Sequence, residues 1–141
     1  MSFTIEHVTI RCRDMEASID FYRRMFAAQL ILRRNLSDSK KIAFLAIGDT
    51  MLELMSMGPA AEPVDPREHY GVHHIGIKTD DFDAAYRELK AKGADFLGEP
   101  FEPTPGIRLA FLRDPNGAVI ELAKRDAKVF QDALKKGTVN W

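Results

Sequence analysis

Four side chains in this 141-residue chain form two matched pairs that could do chemistry together. His7 opens the stretch His7-Val8-Thr9-Ile10-Arg11-Cys12-Arg13-Asp14. His74 opens His74-Ile75-Gly76-Ile77-Lys78-Thr79-Asp80-Asp81, 67 residues later, with Ile10 falling on Ile77, Arg11 on Lys78 and Asp14 on Asp81. The same offset carries Ala43-Phe44-Leu45 onto Ala110-Phe111-Leu112, and after one inserted residue Leu52-Glu53-Leu54 falls on Ile120-Glu121-Leu122. This is an internal repeat in which each half owns one His and one Glu. Glu53 and Glu121 both sit between apolar neighbours at what read as strand centres. A carboxylate buried there without a partner is costly, so each is expected to meet a cation. Imidazole nitrogens with carboxylate oxygens suit a divalent transition metal, Zn, Ni, Co, Fe or Mn, rather than a hard Ca site. Four such ligands in an octahedral sphere leave two positions for water or substrate oxygens.

Taken singly, each residue has a plainer reading. A lone strand His is commonly a hydrogen-bonded structural group, and a mid-strand Glu can face solvent at a sheet edge. Recurrence of all four at matching positions favours the metal. His73 takes the parity of Ile75 and Ile77, and His69 falls in a linker, so both are expected to be structural or solvated.

The elements that must position these groups follow from periodicity. Residues 3–12 alternate as a strand, with Val8, Ile10 and Cys12 on one face and His7, Thr9 and Arg11 on the other. Asp14 is the expected N-cap of a helix whose apolar stripe is Met15, Ile19, Tyr22, Met25 and Phe26. Strands at 29–34, 41–47 and 51–57, with a tight turn at Gly48-Asp49, complete a βαβββ module over residues 1–57. Residues 58–71, carrying Pro59, Pro63 and Pro66, read as a linker. The order repeats over 72–124. A strand at 72–79 is followed by a helix from Asp81 through Phe82, Ala85, Tyr86 and Leu89, stopped by Gly93. Then come a weaker strand at 94–98, a Pro-rich loop at 100–106, a strand at 107–113, the turn Asp114-Pro115-Asn116-Gly117 and a strand at 118–123. Residues 125–141 read as a third amphipathic helix, through Val129, Phe130, Ala133 and Leu134, and a tail.

Composition excludes other classes. The chain suits one domain, or two small halves sharing a core, and leaves no room for a separate cofactor-binding domain. A net charge of −1 with both signs interspersed gives no footprint for nucleic acid or an anionic membrane. There is neither an apolar signal segment nor a membrane-length apolar run, so the cytoplasm is the expected location. Cys12 is the only cysteine and is expected in the core as a small hydrophobe. Long sheet edges and an extra amphipathic helix leave apolar surface that a homodimer would cover.

These residues resemble a known group, the vicinal oxygen chelate superfamily, over residues 3–124. The resemblance is carried by His7 through Arg11, Ser18-Ile19-Asp20-Phe21-Tyr22, His74-Ile75-Gly76-Ile77, and Asp114-Pro115-Asn116-Gly117 leading to Ile120-Glu121-Leu122. It implies an α+β fold in which two paired βαβββ modules form an open cup-shaped mixed sheet. It also implies one divalent metal ion per site, Ni, Zn or Co ahead of Fe or Mn, held by His7, Glu53, His74 and Glu121. Dioxygenases and fosfomycin-resistance proteins lack the carboxylate at the Glu53 position, so its presence points to glyoxalase I and methylmalonyl-CoA epimerase. Arg11 falls where glyoxalase I holds the glutathione carboxylate, and Lys78 is its counterpart in the second half; both are candidate substrate-binding residues. Met57 stands where the bacterial enzyme has an asparagine for glutathione, and Gly48 through Leu54 resembles the epimerase. The implied substrate is a small hemithioacetal or acyl thioester. The implied reaction is proton transfer through a metal-stabilised enediolate, of the lactoylglutathione lyase type, with Glu121 as base and Glu53 able to act on the opposite face. The alternatives are an epimerase and, from a different class, a non-catalytic drug-binding resistance protein.

Overall fold

The computed structural model describes residues 1–125; the helix expected beyond them lies outside the described residues. The chain divides into two units, Met1–Tyr70 with Asp114–Ala118, and Gly71–Arg113 with the chain from Val119.

In the first unit the alternating residues pair as β1 (His7–Arg11), β2 (Gln29–Asn35), β3 (Lys41–Ile47) and β4 (Thr50–Ser56), with α1 (Met15–Phe26) after β1. The sheet order is β1-β4-β3-β2, and β1 runs parallel to β4 while the other pairs are antiparallel. One face carries Ile10, Ala43, Leu45, Leu52 and Leu54. These are buried and form the core with Met15, Ile19 and Tyr22 of α1. Asp14 caps α1 as expected, its side chain accepting from Ala17 N at 3.0 Å. The helix ends where Ala27 turns into the left-handed region at φ 52°, while Ala28 N–H reaches back to Tyr22 O at 3.1 Å.

The first strand is shorter than its alternation suggested. Pairing begins at His7, opposite Met51, and β4 itself begins only one residue earlier, at Thr50 after the tight turn, so residues 3–5 have no strand to join on that side. Phe3 and Ile5 accordingly stay exposed.

The second unit holds β5 (Ile75–Lys78), α2 (Phe82–Ala91), β6 (Asp95–Phe96), β7 (Phe101–Thr104), β8 (Ile107–Arg113) and β9 (Val119–Lys124). Its five-stranded sheet has the order β5-β9-β8-β6, and β7 also pairs with β8. Ala110, Leu112, Ile120 and Leu122 lie buried on one face, with Phe82 and Leu89 of α2 buried as well. Asp81 caps α2 through Ala84 N at 3.1 Å, and Gly93 leaves it at φ 85°. The Pro-rich loop turns out to contain β7. Its register breaks between Phe101 and Thr104, the stretch that contains Pro103, which has no N–H to donate. Two mixed sheets with few helices make this an α+β fold.

The turn Asp114-Pro115-Asn116-Gly117 packs within the first unit. Asp114 is buried and accepts from Tyr22 OH at 2.9 Å, from the Asn116 and Ala118 amides at 2.8 Å each, and from Asn116 Nδ2 at 3.3 Å. Asn116 also donates to Ser18 Oγ at 3.0 Å and accepts from Arg13 N at 3.1 Å. Gly117 sits at φ 84°, and a Cβ there would lie 3.1 Å from Pro63 Cβ, so only glycine suits the turn.

Candidate metal centre

Strand parity brings the same side-chain types to one face in each module. In the first, Thr9 stands opposite Glu53 on β4, and Phe44 on β3 stands opposite Glu53 from the other side. Opposed residues share a face, so His7, Thr9, Glu53 and Phe44 all point away from α1. The His7 ring meets the Phe44 ring edge-on at 5.4 Å, reaching across β4 to do so. Glu53 is only 8% exposed, and its one described partner is the Thr9 hydroxyl, at 3.3 Å.

The second module repeats the arrangement. Gly76 stands opposite Glu121 on β9, Phe111 on β8 opposes Glu121, and the His74 ring meets Phe111 edge-on at 5.4 Å. Here Gly76 replaces Thr9. Glu121, 5% exposed, takes its partners from elsewhere: His74 Nε2 lies 3.3 Å from its Oε2, and Arg125 Nη2 donates to its Oε1 at 2.7 Å. His74 precedes β5 rather than lying inside it, so the expected strand over 72–79 narrows to Ile75–Lys78.

Both pairs have the chemistry of a divalent-cation site. Glu53 is the clearer case, because a carboxylate nearly removed from water with one long hydroxyl contact is under-compensated. Imidazole nitrogen and carboxylate oxygen fit a borderline transition metal. Each module by itself supplies two donors, and among the described residues of either one no third His, Cys, Asp or Glu joins them.

The candidate substrate contacts are placed differently. Arg11 keeps the parity of His7, but its Nη2 donates to Pro59 O at 2.9 Å and Gly58 O at 3.5 Å, tying the start of the linker to the end of β1. It lines a cleft of about 500 Å3 in the first unit, together with Arg13, Ser56, Glu62 and Asn116. Arg13 is paired there with Glu62 at 2.8 Å. Lys78 ends β5, exposed, with no partner among the described residues. His69 is exposed after the short 3-10 turn Pro66–Glu68. Phe44 and Phe111 are visible in the repeat, yet sequence reasoning alone does not bring them to the site. Their shared offset is the signal that could have placed them there.

With this geometry in view, comparison with known proteins assigns the family. The sequence profile of the Glyoxalase/Bleomycin resistance protein/Dioxygenase superfamily matches residues 4–122, and the chain belongs to that superfamily. Among its relatives, a probable lactoylglutathione lyase of Vibrio cholerae is 34% identical over 125 residues, covering 84% of this chain and 88% of that protein. The uncharacterized protein YwbC of Bacillus subtilis is 32% identical over 130 residues, covering 89% of this chain and 100% of that protein. Among solved structures, a mutant of the fosfomycin resistance protein FosX from Listeria monocytogenes superposes with a TM-score of 0.73 at 19% identity. That match covers 91% of this chain and 96% of FosX and is a likeness of fold; the mutant is complexed with Mn(II) and 1S,2S-dihydroxypropylphosphonic acid. No helix among the described residues is long and apolar enough to cross a membrane.

Proposed function

We propose that this chain is a divalent-metal-dependent lyase or isomerase of the glyoxalase I type, acting as a homodimer on a small hemithioacetal. His7, Glu53, His74 and Glu121 are its metal ligands, two from each module. The observation that carries the reading is the repeated His, Phe and Glu arrangement, which ends in a buried carboxylate in both modules. A divalent ion held by these four residues would supply positive charge to substrate oxygens and acidify the adjacent C–H. Relatives named as lactoylglutathione lyases support the reaction class.

The chain's own residues then divide the work. Glu121, whose Oε1 accepts from Arg125 and whose Oε2 lies 3.3 Å from His74 Nε2, is the carboxylate that takes the proton from one substrate carbon and returns it to its neighbour. Burial keeps that carboxylate dry, which favours proton transfer to it over hydration. Glu53 offers a second carboxylate, with Thr9 holding its Oε1. Arg11 and Lys78 supply cationic contacts for an anionic substrate tail, Arg11 by exchanging its linker carbonyls for a carboxylate. An acyl-CoA epimerase is the second reading, favoured by Met57 at the position of the glutathione asparagine; Met57 is exposed in the structure.

The test is to load the purified protein with Ni(II), Co(II) or Zn(II) and assay it on a hemithioacetal and an acyl-CoA epimer side by side. Glu121→Gln keeps an oxygen donor and the side-chain volume but loses the base. It should retain part of the metal while turnover falls by about 10²- to 10⁴-fold. A wild-type protein that binds none of these ions would sink the proposal. A Glu121→Gln variant that still exchanges the substrate C–H into deuterated water at the wild-type rate would move the base elsewhere.

A further inference from the structure

Each of the two imidazoles is engaged on its other ring nitrogen by the side chain of the residue immediately before it. His7 Nδ1 lies 3.2 Å from Glu6 Oε1, and His74 Nδ1 lies 2.9 Å from His73 Nδ1. Glu6 and His73 differ chemically, yet they occupy the same place in the repeat. We infer that Glu6 and His73 are positioning residues that fix the tautomer and ring orientation of His7 and His74 so that both take a cation through Nε2. The inference rests on the metal-ligand reading above.

A neutral imidazole has one N–H and one lone pair, and a ligating nitrogen must offer the lone pair. A carboxylate can only accept, so Glu6 at Nδ1 calls the His7 proton to that nitrogen and leaves the lone pair on Nε2. In the His73–His74 contact two Nδ1 atoms face each other, and only one of them can carry the proton. His74 Nε2 lies 3.3 Å from Glu121 Oε2, and while that nitrogen carries the His74 proton, Nδ1 holds the lone pair and His73 is the donor in this contact. Once a cation takes His74 Nε2, the His74 proton must sit on Nδ1 and His73 Nδ1 must accept it, with the His73 proton on Nε2. Because His73 can fill either role, the pair serves both states without a change in charge.

Orientation follows from the same contacts. Turning either ring over would exchange Nδ1 for a carbon and lose the bond to the preceding residue. The Phe44 and Phe111 rings also meet the two imidazoles edge-on, at interplanar angles of 82° and 74°. A cation on Nε2 also makes Nδ1–H a stronger donor, so these two bonds tighten on binding. Outer hydrogen bonds of this kind typically change metal affinity by about 10- to 100-fold.

The test uses calorimetric titration of the full chain with Zn(II), together with long-range 1H–15N spectra of the histidines in the zinc-loaded protein. Glu6 and His73 are both exposed, so Glu6→Leu and His73→Leu should fold, which circular dichroism verifies. Each should weaken zinc binding by about 10-fold or more. Glu6→Gln and His73→Asn, which restore an acceptor oxygen near the lost atom, should recover most of that loss. In loaded wild-type protein both His7 and His74 should carry the proton on Nδ1. Leucine variants that bind zinc as tightly as wild type, while His74→Ala loses it, would overturn this inference and leave the ligand reading standing. Loaded histidines with the proton on Nε2 would overturn it as well. Wild-type protein that binds no zinc would remove the ligand reading and this inference together.

Discussion

Tyr22→Phe tests the buried link between α1 and the turn at Asp114. Tyr22 is 1% exposed, and its hydroxyl donates to Asp114 Oδ2 at 2.9 Å. The substitution removes that donor and leaves the ring packed, so almost no cavity term is added. Oδ1 keeps the Asn116 and Ala118 amides, but Oδ2 is left with only the 3.3 Å contact from Asn116 Nδ2. A hydrogen bond to a buried charge contributes about 1.5–3 kcal/mol, so a loss of about 2 kcal/mol is expected. For a chain of this size that corresponds to about 5–8 °C in Tm. Burial first, then the charge and hydrogen bond of Asp114, push the Tyr22 hydroxyl far above the usual tyrosine value. A raised folded-state pKa means that this stability is present below the unfolded value near 10 and is lost as pH rises beyond it, by up to about 1.4 kcal/mol per pH unit. Urea denaturation from pH 7 to pH 11 reads both effects. Tyr22→Phe should lower the midpoint at pH 7 and flatten the alkaline decline. A variant with the wild-type midpoint and the wild-type alkaline slope would refute the reasoning.

Three other outcomes are expected. Ala27→Gly should raise stability by about 0.5–1 kcal/mol in urea denaturation, because Ala27 holds φ 52° at the end of α1, a conformation that costs residues with a Cβ. Cys12 is buried and desolvation raises its thiol pKa, so iodoacetamide at pH 8 should label it far more slowly in the folded protein than in urea. Sedimentation equilibrium at micromolar concentration should give twice the chain mass, and a single-chain mass would remove the homodimer from the proposal.

Much of the fold was legible because its determinants are local. Alternation placed Ile10 and Cys12 against the helix and His7, Thr9 and Arg11 on the opposite face, since successive strand side chains must point to opposite sides. Asp14 and Asp81 announced their helices because a cap bond spans only three residues. The repeat aligned His7 with His74 and Glu53 with Glu121. It thereby placed one buried carboxylate at the centre of each sheet before any pairing was known.

What the sequence could not decide depends on partners distant in the chain or on side-chain rotamers. The alternation of residues 3–6 continues the strand pattern, yet β4 offers no strand for residues 3–5 to join, and pairing starts at His7. The Pro-rich loop became β7 because β8 presents an edge that Phe101 and Thr104 can join. The turn at Asp114 looked like a simple hairpin connection. Its carboxylate instead serves Tyr22, 92 residues away, and Asn116 serves Ser18, 98 residues away. Parity set His73 apart from His74, and only their side-chain torsions, chosen by packing against Phe111 and each other, bring the two Nδ1 atoms together. Periodicity is set by backbone geometry within a few residues, so one chain read alone contains it. The hydrogen bonds that orient the candidate ligands form only after the sheets have fixed where each side chain begins.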